Sequence, residues 1–163
     1  MNGHAIDVGY NQLAWSLRQD KRVINMEKQN IRTVTAEQLG ELVDFISIDV
    51  AFISLDKVLP VAVTLLKDTG SLVALIKPQF EAGREKVGKG GIVRDPATHA
   101  EVLTRILHVA EDVGLHLHGV TYSPIKGTEG NIEFLGYFKK TTDGALAITP
   151  ELVESVVAAA HEL

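Results

Sequence analysis

Val43-Asp44-Phe45-Ile46-Ser47-Ile48-Asp49-Val50-Ala51-Phe52-Ile53-Ser54-Leu55 is the stretch from which the architecture can be worked out. Most side chains from Val43 to Val50 are apolar or β-branched, and a near-continuous run of that length suits a strand covered on both faces in a parallel sheet. Asp49 breaks the run. A carboxylate near the carboxyl end of such a strand costs free energy unless it is paired or opens into a cleft, and ligand crevices in open α/β sheets lie at those ends. The functional question is what Asp49 faces.

Downstream, Leu55, Val58, Leu59, Ala62, Val63, Leu65 and Leu66 recur at helical spacing, with Pro60 expected in the first turn or at a kink. Asp68-Thr69-Gly70 is expected to close that helix, and residues 71–76 read as a second buried strand that Lys77-Pro78 stops. The glycine-dense segment 78–91 lacks periodicity and reads as a long loop or lid. Asp95-Pro96 then supplies a cap and a first-turn proline for a helix whose stripe is Val102, Leu103, Ile106, Leu107, Ala110 and Val113, ended by Gly114. Residues 115–123 and 131–138 read as strands that pair antiparallel, because too few residues separate them for a crossover helix. Thr149-Pro150 opens a last helix carrying Leu152, Val153, Val156, Val157 and Ala160.

Upstream of Val43, a short strand from His4 is followed by a helix over 12–19 capped by Asn11, a strand over 22–27, a polar loop and a short helix from Ala36. The whole is an α/β sheet, mostly parallel with one antiparallel strand, and the chain is expected to begin mid-fold.

The 163 residues suit a single domain over 1–163, and 45% hydrophobic with 23% charged residues suits a globular chain. No apolar run is long enough to span a bilayer and no signal peptide opens the sequence, so the expected location is cytoplasmic, away from membranes. Without cysteine there is no disulfide, thiolate metal site or cysteine nucleophile. The net charge of −5 repels polyanions, so an anionic partner would need a local patch. Lys77, Arg84, Lys86, Lys89 and Arg94, set against Glu81 and Glu85, supply either such a patch or merely a solvated loop.

Asp49 closes the central strand, Lys77 closes the next, and Glu133 lies early in the last. If those strands are neighbours, the three converge on one crevice; the alternative is a Lys77–Asp49 ion pair with Glu133 exposed. Asp7, before Gly9 and a helix, sits where nucleotide-binding folds place a ribose-binding carboxylate, although Asp before Gly also makes ordinary turns. Neither the glycine-rich dinucleotide fingerprint nor a P-loop is present. His116 and His118 would share one strand face, but no acid joins them and no metal site is expected. Trp15 is read as a core or semi-buried anchor.

The blocks Asp7-Val8-Gly9-Tyr10-Asn11-Gln12-Leu13-Ala14-Trp15, Asn30-Ile31-Arg32, Ile48-Asp49-Val50-Ala51-Phe52-Ile53-Ser54-Leu55, Ile76-Lys77-Pro78-Gln79-Phe80-Glu81, Gly91-Ile92-Val93-Arg94-Asp95-Pro96, Ser123-Pro124-Ile125-Lys126-Gly127 and Gly130-Asn131-Ile132-Glu133-Phe134 together resemble the TlyA (hemolysin A) family. The family belongs to the FtsJ-like S-adenosyl-L-methionine-dependent methyltransferases, which modify ribose 2′-hydroxyls of ribosomal RNA. The resemblance implies a Rossmann-like class I methyltransferase sheet. Its catalytic Lys-Asp-Lys-Glu group would fall on Asp49, Lys77 and Glu133, with Lys77 the base for the ribose hydroxyl. A lysine acting as base must be neutral in part, which burial favours and neighbouring carboxylates oppose.

By the same resemblance Asp7 and Asp49 would bind the cofactor, Asn30 and Ile31 would border its adenine, and Arg84, Lys86, Lys89, Arg94 and Lys126 would grip RNA phosphates of ribosomal RNA or a ribosomal subunit. Family members also carry, before the segment matching Asp7, an RNA-binding S4 domain, the first lysine, and a glycine-rich strand and loop. Without them a gap is expected between the strands starting near His4 and Val43, and the isolated chain is expected to be weakly active at best. A non-catalytic RNA-binding remnant is the alternative. A membrane-lytic role, suggested by the hemolysin name, lacks the apolar span or cationic amphipathic helix it would need.

Overall fold

The structure, a computed structural model, describes residues 4–6, 23–27, 42–127 and 130–162, with side chains from residue 42 onward. Strands β1 (His4–Ile6), β2 (Val23–Glu27), β3 (Val43–Asp49), β4 (Leu66–Ile76), β5 (His116–Tyr122) and β6 (Phe134–Lys139) form one sheet in the order β1-β2-β3-β4-β6-β5. The first four run parallel, and β6 is antiparallel to both β4 and β5, as expected for the single reversed strand. The expected gap is not there. β2 occupies the place beside β3 and pairs with it from Val23↔Phe45 to Glu27↔Asp49. Backbone N–H and C=O groups left unpaired inside a sheet are costly, and this pairing gives the edge of β3 its partner. The helices expected over 12–19 and from Ala36, with Trp15, lie outside the described residues.

Helix α1 (Leu55–Leu65) is capped by Ser54, whose hydroxyl accepts from the Asp56 N–H, and buries Leu55, Val58, Leu59, Ala62 and Leu65. It runs through Pro60, one turn deeper than expected; Pro60 is exposed, so the hydrogen bond it removes lies on the solvent side. Helix α2 (Pro78–Glu81) is a single turn inside the expected loop, followed by 3₁₀ turns at Arg84–Lys86 and Lys89–Gly91. Helix α3 (Pro96–Asp112) starts on the Asp95 cap, and Gly114 at φ 95 provides the left-handed residue that ends it. Helix α4 (Pro150–Ala160) starts on the Thr149 cap.

The core lies between these helices and one face of the sheet, with Ile46, Ile48, Leu72, Ala74, Ile76, Leu117, Phe134 and Phe138 meeting Leu59, Leu103, Ile106 and Val157. Contrary to the expected two-faced burial of the central strand, Phe45 and Ser47 on its other face are only half-buried. Strand β4 also begins earlier than expected. Leu66 pairs with Val43 and Ser71 with Phe45, so the intervening Lys67-Asp68-Thr69-Gly70 is accommodated as an irregularity in the ladder rather than as a separate turn. Lys67 reaches Asp44 at 3.3 Å across this irregularity.

Candidate functional site

Strand β4 lies between β3 and β6, so the residue that follows it is flanked by the carboxyl end of one and the entrance of the other. The β4–β6 ladder ends at Ile76↔Phe134, and the next pair in register is Lys77 and Glu133. Pro78 has no N–H to continue the ladder, so Lys77 is released at the sheet's rim. Its Nζ lies 2.6 Å from Asp49 Oδ1, with the lysine side chain 16% exposed and the aspartate 43% exposed. Among the described residues that buried oxygen has no aligned hydrogen bond, but the short separation still makes the contact an ion pair, because charge attraction does not depend on donor direction.

Glu133 is buried at 5% exposure, against the alternative that left it in solvent. Among the described residues its carboxylate has one side-chain hydrogen bond, from Gln79 Nε2 to Oε2 at 2.9 Å. Burial pushes its carboxyl above the ordinary carboxylate range; the Gln79 bond and the Lys77 charge oppose this, and the Asp49 charge adds to it. Asp49, Lys77 and Glu133 thus gather on one rim.

The segments after β3 and β4 are tied together behind that rim. Glu81, with its side chain 2% exposed, accepts from Ser54 Oγ at 2.6 Å, from the Leu55 N–H at 2.8 Å and from Arg105 Nη2 at 2.9 Å. Desolvation holds its carboxyl above the ordinary range despite these three bonds. Between Asp49 and this knot stands Phe52, 89% exposed, at φ 65, with its ring centroid 4.8 Å from that of Phe80. A bulky residue in the left-handed region with its ring in solvent carries backbone strain that burial does not offset. Sequence reading missed Phe52 because it lies in an apolar run that looks like core, and positive φ in a non-glycine residue leaves no compositional trace.

Asn131, also missed, is buried and holds the cationic segment against the rim: its Oδ1 accepts from the Val93 N–H and its Nδ2 donates to the Gly91 carbonyl, each at 3.0 Å. His99 Nε2 donates to the Val93 carbonyl at 2.9 Å, so its Nδ1 accepts from His161 Nε2 at 2.8 Å. Arg84, Lys86, Lys89, Arg94 and Lys126 are all exposed. Lys86 is engaged by Glu101 at 2.6 Å, and Arg94 lies 3.4 Å from the Lys89 carbonyl. Asp7, Asn30 and Ile31 lie outside the described residues. His118 on β5 is 3.0 Å from the Thr141 carbonyl, and among the described residues no cluster of His, Cys, Asp or Glu suits a metal ion.

A family model described as FtsJ-like methyltransferase matches residues 1–140. YqxC of Bacillus subtilis (strain 168) is 49% identical over 162 residues, covering 98% of this chain and 58% of that protein. The 16S/23S rRNA (cytidine-2′-O)-methyltransferase TlyA of Mycobacterium tuberculosis (strain ATCC 25618 / H37Rv) is 44% identical over 143 residues, covering 88% of this chain and 53% of that protein. A solved structure from Streptococcus thermophilus superimposes with a TM-score of 0.79 at 46% identity, covering 98% of this chain and 57% of that one. The chain therefore spans little more than half the length of these relatives. With most of its length matched in sequence and in fold, the chain belongs to the FtsJ-like methyltransferase family.

Proposed function

We propose that this chain, as one domain over 1–163, carries the methyl-transfer part of a cytoplasmic enzyme that methylates ribose 2′-hydroxyls of ribosomal RNA with S-adenosyl-L-methionine. The observation that carries the reading is the Lys77 ammonium 2.6 Å from Asp49 at a rim shared with buried Glu133. The part-exposed Asp49 carboxylate at the rim suits contact with a cofactor bearing a sulfonium and an ammonium, and Asp7, Asn30 and Ile31 are carried over from the resemblance. When bound, S-adenosyl-L-methionine supplies an electrophilic methyl group.

The rest falls to the chain's own side chains. Lys77 takes the proton of the ribose hydroxyl only as the neutral amine, after its ammonium has released a proton to solvent; Asp49 aims its Nζ, and Glu133 adds negative charge from the β6 side. Phe52 offers an open ring face on which a nucleobase can stack, as single-stranded RNA recognition requires. Arg84, Lys89, Arg94 and Lys126, all exposed, meet RNA phosphates of the ribosomal RNA or subunit; Lys86 would first have to leave Glu101.

The test is transfer of labelled methyl from S-adenosyl-L-methionine to purified ribosomal RNA, followed by nuclease mapping of 2′-O-methyl nucleotides. Lys77→Ala is expected to lower the rate by about a hundredfold or more while leaving cofactor affinity, measured by titration calorimetry, near that of the wild type. A Lys77→Ala rate equal to wild type would refute it. RNA binding without any cofactor binding would favour the non-catalytic remnant.

A further inference from the structure

We propose that Gln79 is the positioning residue of the site: its amide fixes the Glu133 carboxylate beside Lys77 by donating to Oε2. The proposal rests on the methyl-transfer reading only for the purpose this serves. Gln79 lies two residues past Lys77, in the first turn of α2, and its Nε2 donates to Glu133 Oε2 at 2.9 Å across 54 residues of chain. On the other side the same carboxylate is pressed against Gly127, where a Cβ would come 1.9 Å from Oε2 and 2.4 Å from Cδ. No side chain fits there, so Gly127 is a wall that holds the carboxylate toward Gln79. The wall is itself fixed, since the Gly127 N–H donates to the Asn131 carbonyl and the Gly130 N–H to the Gly127 carbonyl.

The amide meets this carboxylate at the expense of its own second atom. Gln79 Oε1 is buried without a hydrogen-bond partner among the described residues. An orphaned buried acceptor calls for a reason, and turning the amide over would set Oε1 against the carboxylate oxygen. The orientation therefore serves Glu133. Lys77 does not replace it, because its ammonium is spent on Asp49 and makes no ion pair within 4.0 Å of Glu133. Without the amide, a buried carboxylate would face a glycine wall and the negative Asp49 with no donor, and would take up a proton more readily.

The experiment follows the Glu133 carboxyl by ¹³C NMR in the full chain, assigned with Glu133→Gln, in wild type, Gln79→Met and Gly127→Ala. Gln79→Met keeps the length of the side chain and removes only the amide. The Glu133 titration is expected at higher pH in both variants, and the acidic limb of the methyl-transfer profile is expected to move with it. At neutral pH the expected loss in kcat is about tenfold, with KM for RNA within about twofold. A Gln79→Met titration unmoved or displaced to lower pH overturns the proposal. A titration that moves as expected in a chain whose methyl-transfer rate Lys77→Ala leaves unchanged supports the role of Gln79 at Glu133 and removes the functional reading instead.

Discussion

Replacing Glu81 by alanine takes one acceptor away from three donors at once, and the structure says what each loses. The Leu55 N–H is one of the unpaired groups at the start of α1, and Leu55 is 1% exposed, so its orphaning costs about 1–3 kcal/mol. The Ser54 hydroxyl is part-buried and can turn to water, losing about 0.5–1.5 kcal/mol. Arg105 is 41% exposed and retains the Glu81 backbone carbonyl at 3.0 Å, so its share is small. Relief of the buried carboxylate's desolvation works in the opposite direction. The net expected loss is about 2 kcal/mol, read as a lower urea midpoint at unchanged slope.

Glu81→Gln separates charge from shape. The raised carboxyl means the folded state binds its proton more tightly than the unfolded chain does, so wild type gains stability as pH falls from neutral through the raised value toward the ordinary glutamate range. The glutamine variant lacks that gain, and the stability difference between the two should shift in favour of wild type over that window. An alanine variant as stable as wild type, or a glutamine variant that follows the wild-type pH dependence, would refute the knot.

Phe52 and His99 give two further tests. Glycine relieves a left-handed backbone that alanine does not, so Phe52→Gly is expected to be more stable than Phe52→Ala by about 1 kcal/mol, with both losing RNA affinity; equal midpoints in urea would remove the strain. Burial, with a smaller effect of His161, holds the His99 imidazole below the ordinary histidine value, opposed by the Val93 carbonyl and Asp95. Its stabilising contribution is therefore full above about pH 6.5 and lost as pH falls through the lowered value, so wild type should weaken on acidification more than His99→Gln does; parallel thermal melts across that range would contradict this.

Helix stripes and caps were legible because period and capping chemistry are local: Asp95-Pro96 and Thr149-Pro150 start helices where expected, and Gly114 ends one. The start of β4 was not, because Lys67-Asp68-Thr69-Gly70 has the composition of a turn, and only the partner strand decides that Leu66 pairs with Val43 on its far side. The half-buried outer face of β3 escaped for a related reason, since an apolar run states what a strand tolerates and not what covers it. At the site, Asp49, Lys77 and Glu133 stood out as polar residues at strand ends. Gln79, Glu81 and Asn131 did not, because each matters through a partner at least 26 residues away.

The geometry that unites the three charged groups comes from one reversal of chain direction. Had β6 run parallel to β4, its amino end would lie at the opposite edge of the sheet, some six residues and about 20 Å from Lys77. Being antiparallel, it enters the sheet where β3 and β4 leave it, and Glu133, one residue before that entrance, arrives level with Lys77. The Gly127 N–H bond to the Asn131 carbonyl and the Gly130 N–H bond to the Gly127 carbonyl fix that arrival point, and Pro78 fixes the departure of β4. A shift of one residue in the β4–β6 register would turn the Glu133 side chain to the other face of the sheet and leave Lys77 with Asp49 alone. The buried pairs Leu72↔Phe138 and Ile76↔Phe134 resist that shift, because it would drive two phenylalanines out of the core. The same apolar contacts that hold the fold therefore set the spacing of the charged site.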